Sequence, residues 1–138
     1  MGARLALAWV LASTGEPDAE AVVRALADAL AAVHGPDHRD TLAARHLLVG
    51  VLRDQHRFEE AVGLAWDLLA VREAVRGPEH PYTLLLRAEL ALLLHRTGRT
   101  GEATALAGQA LATATNVQGP HTRYTIRIRD IHHEITVT

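Results

Sequence analysis

Three segments of the chain open alike, at a fixed step of 42 residues. They read Gly35-Pro36-Asp37-His38-Arg39-Asp40-Thr41-Leu42, Gly77-Pro78-Glu79-His80-Pro81-Tyr82-Thr83-Leu84 and Gly119-Pro120-His121-Thr122-Arg123-Tyr124-Thr125-Ile126. Self-similarity at such a period restricts the fold more than any other feature. Each copy is one supersecondary unit, too small to bury its own apolar face, so copies must stack. Residues that recur in this frame are read first as parts of the unit, and only then as chemistry.

The unit reads as a helix pair. Gly-Pro opens a turn, because proline fixes φ and cannot continue a helix. Asp40 or Thr41 is the expected N-cap of the helix that follows. Leu42, Leu47, Leu48, Val49, Val51 and Leu52 form its apolar stripe. A polar turn comes next: Asp54-Gln55-His56-Arg57 in one unit and Arg96-Thr97-Gly98-Arg99 in the next, where Gly98 suits a left-handed C-cap. The apolar face of the second helix includes Phe58, Ala61, Val62, Leu64, Ala65, Leu68, Leu69, Val71 and Val75, matched by Ala103, Leu106, Ala107, Ala110, Leu111 and Val117. Ala19, Ala61 and Ala103 share one frame position, and a small side chain there lets paired helices approach closely. The spacing predicts seven helices, about 2–13, 17–34, 41–55, 58–76, 83–97, 101–117 and 123–135. The expected fold is all-α, with a partial unit over 1–34, full units over 35–76 and 77–118, and a half unit over 119–138, together a single domain.

Composition removes several function classes. The 14 basic residues are all arginine, against 16 acids, so no bulk charge draws the chain to nucleic acid or anionic lipid. With no lysine there is no Schiff base and no P-loop lysine. With no cysteine there is no disulfide and no thiolate metal site. Arginine in place of lysine, with much Ala, Leu, Val and Gly, suggests a GC-rich bacterial genome of an actinobacterial kind. No apolar run approaches the ~20 residues of a membrane span, and we expect a cytoplasmic protein. Arg4 followed by Leu5-Ala6-Leu7-Ala8-Trp9-Val10-Leu11 has the outline of a short signal sequence. The repeat register favours a helix instead: stepping by 42 places Leu7 on Val49 and Ala91.

The pattern resembles the tetratricopeptide repeat, in the 42-residue form of kinesin light chains and many bacterial multi-repeat proteins. That form has a Gly-Pro-Asp-His-Pro-x-Thr-Leu loop before its first helix and a Gly-Arg-x-x-Glu-Ala turn between the helices. Here the turn reads Arg57-Phe58-Glu59-Glu60-Ala61 and Gly98-Arg99-Thr100-Gly101-Glu102-Ala103, and the favoured early arginine matches Arg45, Arg87 and Arg129. The third loop departs, with His121-Thr122-Arg123 where Asp-His-Pro is usual. The resemblance implies a right-handed α-solenoid of antiparallel helix pairs, a non-enzymatic scaffold that takes a protein or peptide on its concave face.

The resemblance places that groove on the first helix of each pair: Arg4 and Ala8; Ala43, His46, Gly50 and Arg53; Leu85, Glu89, Leu92 and His95; Arg127, Asp130 and Glu134. Such a row suits an extended or helical peptide held by a few polar contacts. It lacks the repeated Lys/Asn/Arg set of a carboxylate clamp. His38 and His80 read as residues that cap the loop or tie it to its neighbour, since one histidine per loop is no coordination set, and adjacent His132 and His133 do not face one side. Arg45, Arg87 and Arg129 read either as an anion ladder or, as the family pattern favours, as arginines that each hold a loop carbonyl or carboxylate of their own unit. Arg123, Arg127 and Arg129 with Tyr124 are the most basic cluster, diluted by Asp130 and Glu134, which argues against nucleic acid. We expect no catalytic site, no metal and no cofactor.

The helix expected over 2–13 is apolar all round, and such a helix needs cover on more than one side. Leu5, Leu7, Trp9, Val10 and Leu11 therefore form an expected association edge, for a second copy as a homodimer or for further repeats. The last helix sets polar Arg127, Arg129, Asp130, His132, His133 and Glu134 against Ile126, Ile131 and Ile135, as a solvated end would. Two alternative functions stay open. One is an oligomerisation or regulatory segment of a larger bacterial signalling protein, acting through the N-terminal edge. The other is a ligand- or nucleic-acid-binding sensor.

Overall fold

A computed structural model describes residues 18–137. Among them are six helices and no strand: α1 (Ala19–His34), α2 (Arg39–Asp54), α3 (Phe58–Arg76), α4 (Pro81–Arg96), α5 (Thr100–Gln118) and α6 (Arg123–Val137). The helix expected over 2–13 lies outside the described residues, and with it Arg4, Ala8 and the edge residues Leu5, Leu7, Trp9, Val10 and Leu11. The final helix continues to Val137, two residues past the expected end. The chain forms two compact units that divide between Leu64 and Ala65, within α3.

The helix starts correct one expectation. Neither Asp40 nor Thr41 caps α2; His38 does, its Nδ1 accepting the Asp40 N–H at 3.1 Å. His80 repeats this on α4, accepting from Tyr82 N–H at 3.1 Å. An imidazole reaches the amide two residues on, so the helix can begin at Arg39 or Pro81, earlier than a cap at 40 or 41 would allow. Proline suits the first position of α4 because its missing N–H would have no partner there. Thr41 turns back, and its hydroxyl donates to the Gly35 carbonyl at 2.9 Å. The third loop reaches the same end by other means: Thr122 Oγ1 accepts from Thr125 N–H at 3.2 Å. Its glycine matches the others, with φ of 94°, 92° and 90° at Gly35, Gly77 and Gly119. The altered residues change the cap and leave the backbone turn intact.

The turn inside each helix pair is equally repetitive. Arg57 N–H bonds the Leu52 carbonyl at 2.9 Å, and Arg99 N–H bonds the Leu94 carbonyl at 2.9 Å. This six-residue closure requires a left-handed residue just past the helix. Gly98 supplies it at φ 89°, but its frame partner is His56 at φ 60°. Histidine tolerates that region better than most residues, at a cost glycine avoids.

In the first unit α1 and α2 pack together. They bury Ala19, Val23, Leu26, Ala27 and Leu30 with Leu42, Leu48, Val49 and Leu52. Arg57 ties the base of this unit. Its guanidinium bonds both oxygens of Glu60, at 3.0 and 2.7 Å, and reaches across to Glu20 of α1. These bonds to Arg57 hold the Glu20 carboxyl below its ordinary range.

In the second unit α5 packs against both α4 and α6, and α4 also meets α6. The sequence of α5 explains how. Its buried residues are Ala103, Ala107, Ala110 and Ala114, a stripe one methyl deep. Small contact side chains let helix axes approach toward the close end of the ~8–10 Å range. The volume comes from the neighbours: Leu84, Leu86, Leu90, Leu93 and Leu94 of α4, and Ile128, Ile131 and Ile135 of α6, all at most 1% exposed. Each fully buried side chain of this size contributes about 1.5–3 kcal/mol of transfer free energy.

Three apolar expectations fail. Val75 and Val117 are 48% and 51% exposed, since both lie in the last turn of their helices, where the chain leaves the core. Ile126 is 42% exposed although its frame partners Leu42 and Leu84 are buried. On the same face of α6, His133 and Thr136 stand where α4 has Ala91 and Leu94, and both are exposed.

Candidate partner-binding surface

The expected groove residues divide between the two units. In the first, Ala43, His46, Gly50 and Arg53 lie on α2 and are half-buried. A side chain on Gly50 would meet the Arg53 guanidinium at 3.6 Å, so Arg53 folds back over a bare stretch of helix. Its Nε also donates to Asp54 at 3.4 Å. In the second unit, Leu85, Glu89 and His95 are half-buried on α4, whereas Leu92 is only 8% exposed. Arg127, Asp130 and Glu134 are exposed on α6.

Because α4 and α6 pack together, their residues form one local surface in the second unit. An ion pair crosses it, from Arg96 to Glu134 at 3.7 Å. His95 Nδ1 lies 3.0 Å from Thr100 Oγ1. The surface therefore offers acceptors from Asp130 and Glu134, donors from Arg127, and aliphatic area from Leu85. Among the described residues no three or more His, Asp or Glu side chains gather as a metal site, and no helix is long and apolar enough to cross a membrane.

Two of the three ladder arginines, Arg87 and Arg129, are structural ties of different kinds. Arg129 donates to the Pro120 carbonyl of its own loop at 2.9 Å. Arg87 instead holds Glu73 of α3 through Nε and Nη2, at 3.3 and 2.9 Å. That carboxylate belongs to the preceding repeat, not to the arginine's own, so the tie links successive repeats. Arg45 is half-buried on α2.

One cluster was not anticipated as such. Arg72 is 6% exposed, at a frame position held by Leu30 and Ala114, and those two apolar partners were the signal that could have exposed it. Its guanidinium lies 5.7 Å from the Tyr82 ring centre. Tyr82 meets Tyr124 edge-on at 5.7 Å, and Arg123 sits 5.0 Å from the Tyr124 ring. Burial, then the charges of Arg76 and Arg72, push the His80 imidazole below its ordinary pKa. Burial pushes the Arg72 guanidinium below its usual value as well, with Arg76 adding to the effect.

No curated protein matches the chain. A family model described as Tetratricopeptide repeat matches residues 48–116, half of the chain. The match runs from α2 to the last turn of α5 and takes in the paired helices, the repeated left-handed turn and the second histidine-capped loop. The chain belongs to the tetratricopeptide repeat family.

Proposed function

We propose that the protein is a non-enzymatic scaffold that binds a protein or peptide through the first-helix face of its repeats. Tetratricopeptide repeats are in general protein-interaction modules, and family membership carries the reading. The local surface of α4 and α6 supports it, since it combines unburied aliphatic area with acids and an arginine in the mixture that holds an extended or helical segment. The fixed 42-residue step, the glycine-proline loops and the histidine caps support placing the chain with the kinesin-light-chain-like form of the repeat. The arginine-only basic set supports a bacterial origin, and we place the protein in the cytoplasm.

Affinity capture from the native lysate tests the groove, with an Arg53→Glu/Arg127→Glu double variant beside the unaltered protein. Arg53 is half-buried and Arg127 exposed, so the variant is expected to fold. A partner held by the first protein and lost from the second supports the reading. Equal recovery by both removes it.

A further inference from the structure

The second loop differs from its copies at neighbouring frame positions, and the differences meet in space. Leu30 and Ala114 bracket Arg72, His34 and Gln118 bracket Arg76, and Asp40 gives way to Tyr82 and then Tyr124. In the first unit the corresponding His34 and His38 merely stack, with ring centres 4.4 Å apart. In the second unit α3 contributes Arg72 and Arg76, the loop His80, α4 Tyr82, and α6 Arg123 and Tyr124. Arg72 and Arg123 lie 5.7 and 5.0 Å from the tyrosine ring centres, and Arg123 Nη2 donates to the Tyr124 hydroxyl at 3.0 Å. The charge of Arg76 acts on His80, Tyr82 and Arg72 alike. Glu89 offsets part of the Arg72 charge, Glu73 is taken up by Arg87, and Glu79 stands exposed in the loop beside His80. Among the described residues neither Arg76 nor Arg123 forms an ion pair with a carboxylate.

We propose that this loop edge is a second binding surface, separate from the first-helix groove, for a carboxylate-rich peptide segment of a partner protein. Guanidinium N–H groups and phenol O–H groups offer donors, so the ligand must bring acceptors. A guanidinium fork matches a carboxylate in geometry as well as charge. Each tyrosine ring already engages a guanidinium and the other ring, so a stacking nucleobase would compete with these contacts for aromatic surface. The surface is open, with Tyr82 42% exposed and both Arg76 and Arg123 exposed, and so fits a chain lying across it. A charge buried at Arg72, where the frame elsewhere uses Leu or Ala, opposes stability and points to a use for the site.

Fluorescence anisotropy with labelled hepta-glutamate at low ionic strength tests this, using the unaltered protein, an Arg76→Glu/Arg123→Glu edge variant and the Arg53→Glu/Arg127→Glu groove variant. Circular dichroism melts verify that both variants fold, and Arg76→Gln/Arg123→Gln stands in should the reversed edge variant not fold. The expected result is binding that weakens with salt, about tenfold weaker in the edge variant and changed less than about twofold in the groove variant. Equal binding by edge variant and unaltered protein overturns the proposal. So does loss confined to the groove variant, or binding of a single-stranded oligonucleotide in place of the peptide. Because the two variants are separate, failure here leaves the groove reading untouched, and the reverse holds.

Discussion

Protonating one imidazole should loosen the start of α4. His80 Nδ1 accepts the Tyr82 amide at 3.1 Å, and an imidazolium has no lone pair to offer there. An N-cap acceptor is worth about 1 kcal/mol, so His80→Ala should cost about that at pH 8. At roughly 2 cal/mol/K per residue, the unfolding entropy of this chain turns that loss into about 3–4 °C of Tm. Burial, Arg76 and Arg72 hold the folded-state pKa below the ordinary 6.5, so the unfolded chain binds the proton more readily. Stability from this group is therefore complete above about pH 6.5. It falls as pH drops through 6.5 toward the lower folded value, where the cap itself is lost. Urea titrations at pH 8 and pH 5 should show the His80→Ala penalty at the higher pH and a much smaller one at the lower. His80→Asn, whose side-chain oxygen caps without titrating, should behave as the parent at pH 8 and lose the pH-dependent part. An alanine penalty of equal size at both pH values, or an asparagine variant as weak as alanine, would refute the reasoning.

Five further substitutions probe the repeats. Thr41→Val should destabilise by about 1 kcal/mol by removing the bond to Gly35. Thr83→Val should be neutral or stabilising, because its buried hydroxyl has no partner among the described residues; chemical denaturation compares the two. His56→Gly should raise Tm by relieving the left-handed backbone, worth about 1 kcal/mol, while Gly98→Ala at the same frame position should lower it by a similar amount. Ala107→Leu should destabilise by about 1–3 kcal/mol, since α5 lies against both α4 and α6 and has no room for the added atoms; calorimetry reads this directly.

Period and polarity carried most of the fold. A glycine-proline pair, a polar turn and apolar residues at helical spacing each act locally, so six helices were legible from neighbours in sequence. Details set by distant partners were not. The choice of His38 over Asp40 or Thr41 as the cap depends on a ring reaching an amide two residues on. Arg87 could as well have held its own loop, and only packing shows that it takes Glu73 from the previous repeat. Val75 reads as core from its spacing, yet it sits where the helix outruns its neighbours. The surface residues were visible as positions on helices. The gathering of Arg72, Tyr82 and Tyr124 was not, because the three lie on separate helices and only the fold joins them.

The loop glycines carry a consequence for how such a chain can change over time. Each φ near 90° at Gly35, Gly77 and Gly119 ends one helix pair and opens the next in the same way. A duplication or loss of 42 residues would keep each glycine turn and apolar stripe in register, even where cap and tie residues differ between copies. One of 41 or 43 would set a histidine where a proline belongs and rotate an apolar stripe by about 100° toward water. Whole-unit changes therefore preserve the turn geometry, and smaller ones break it.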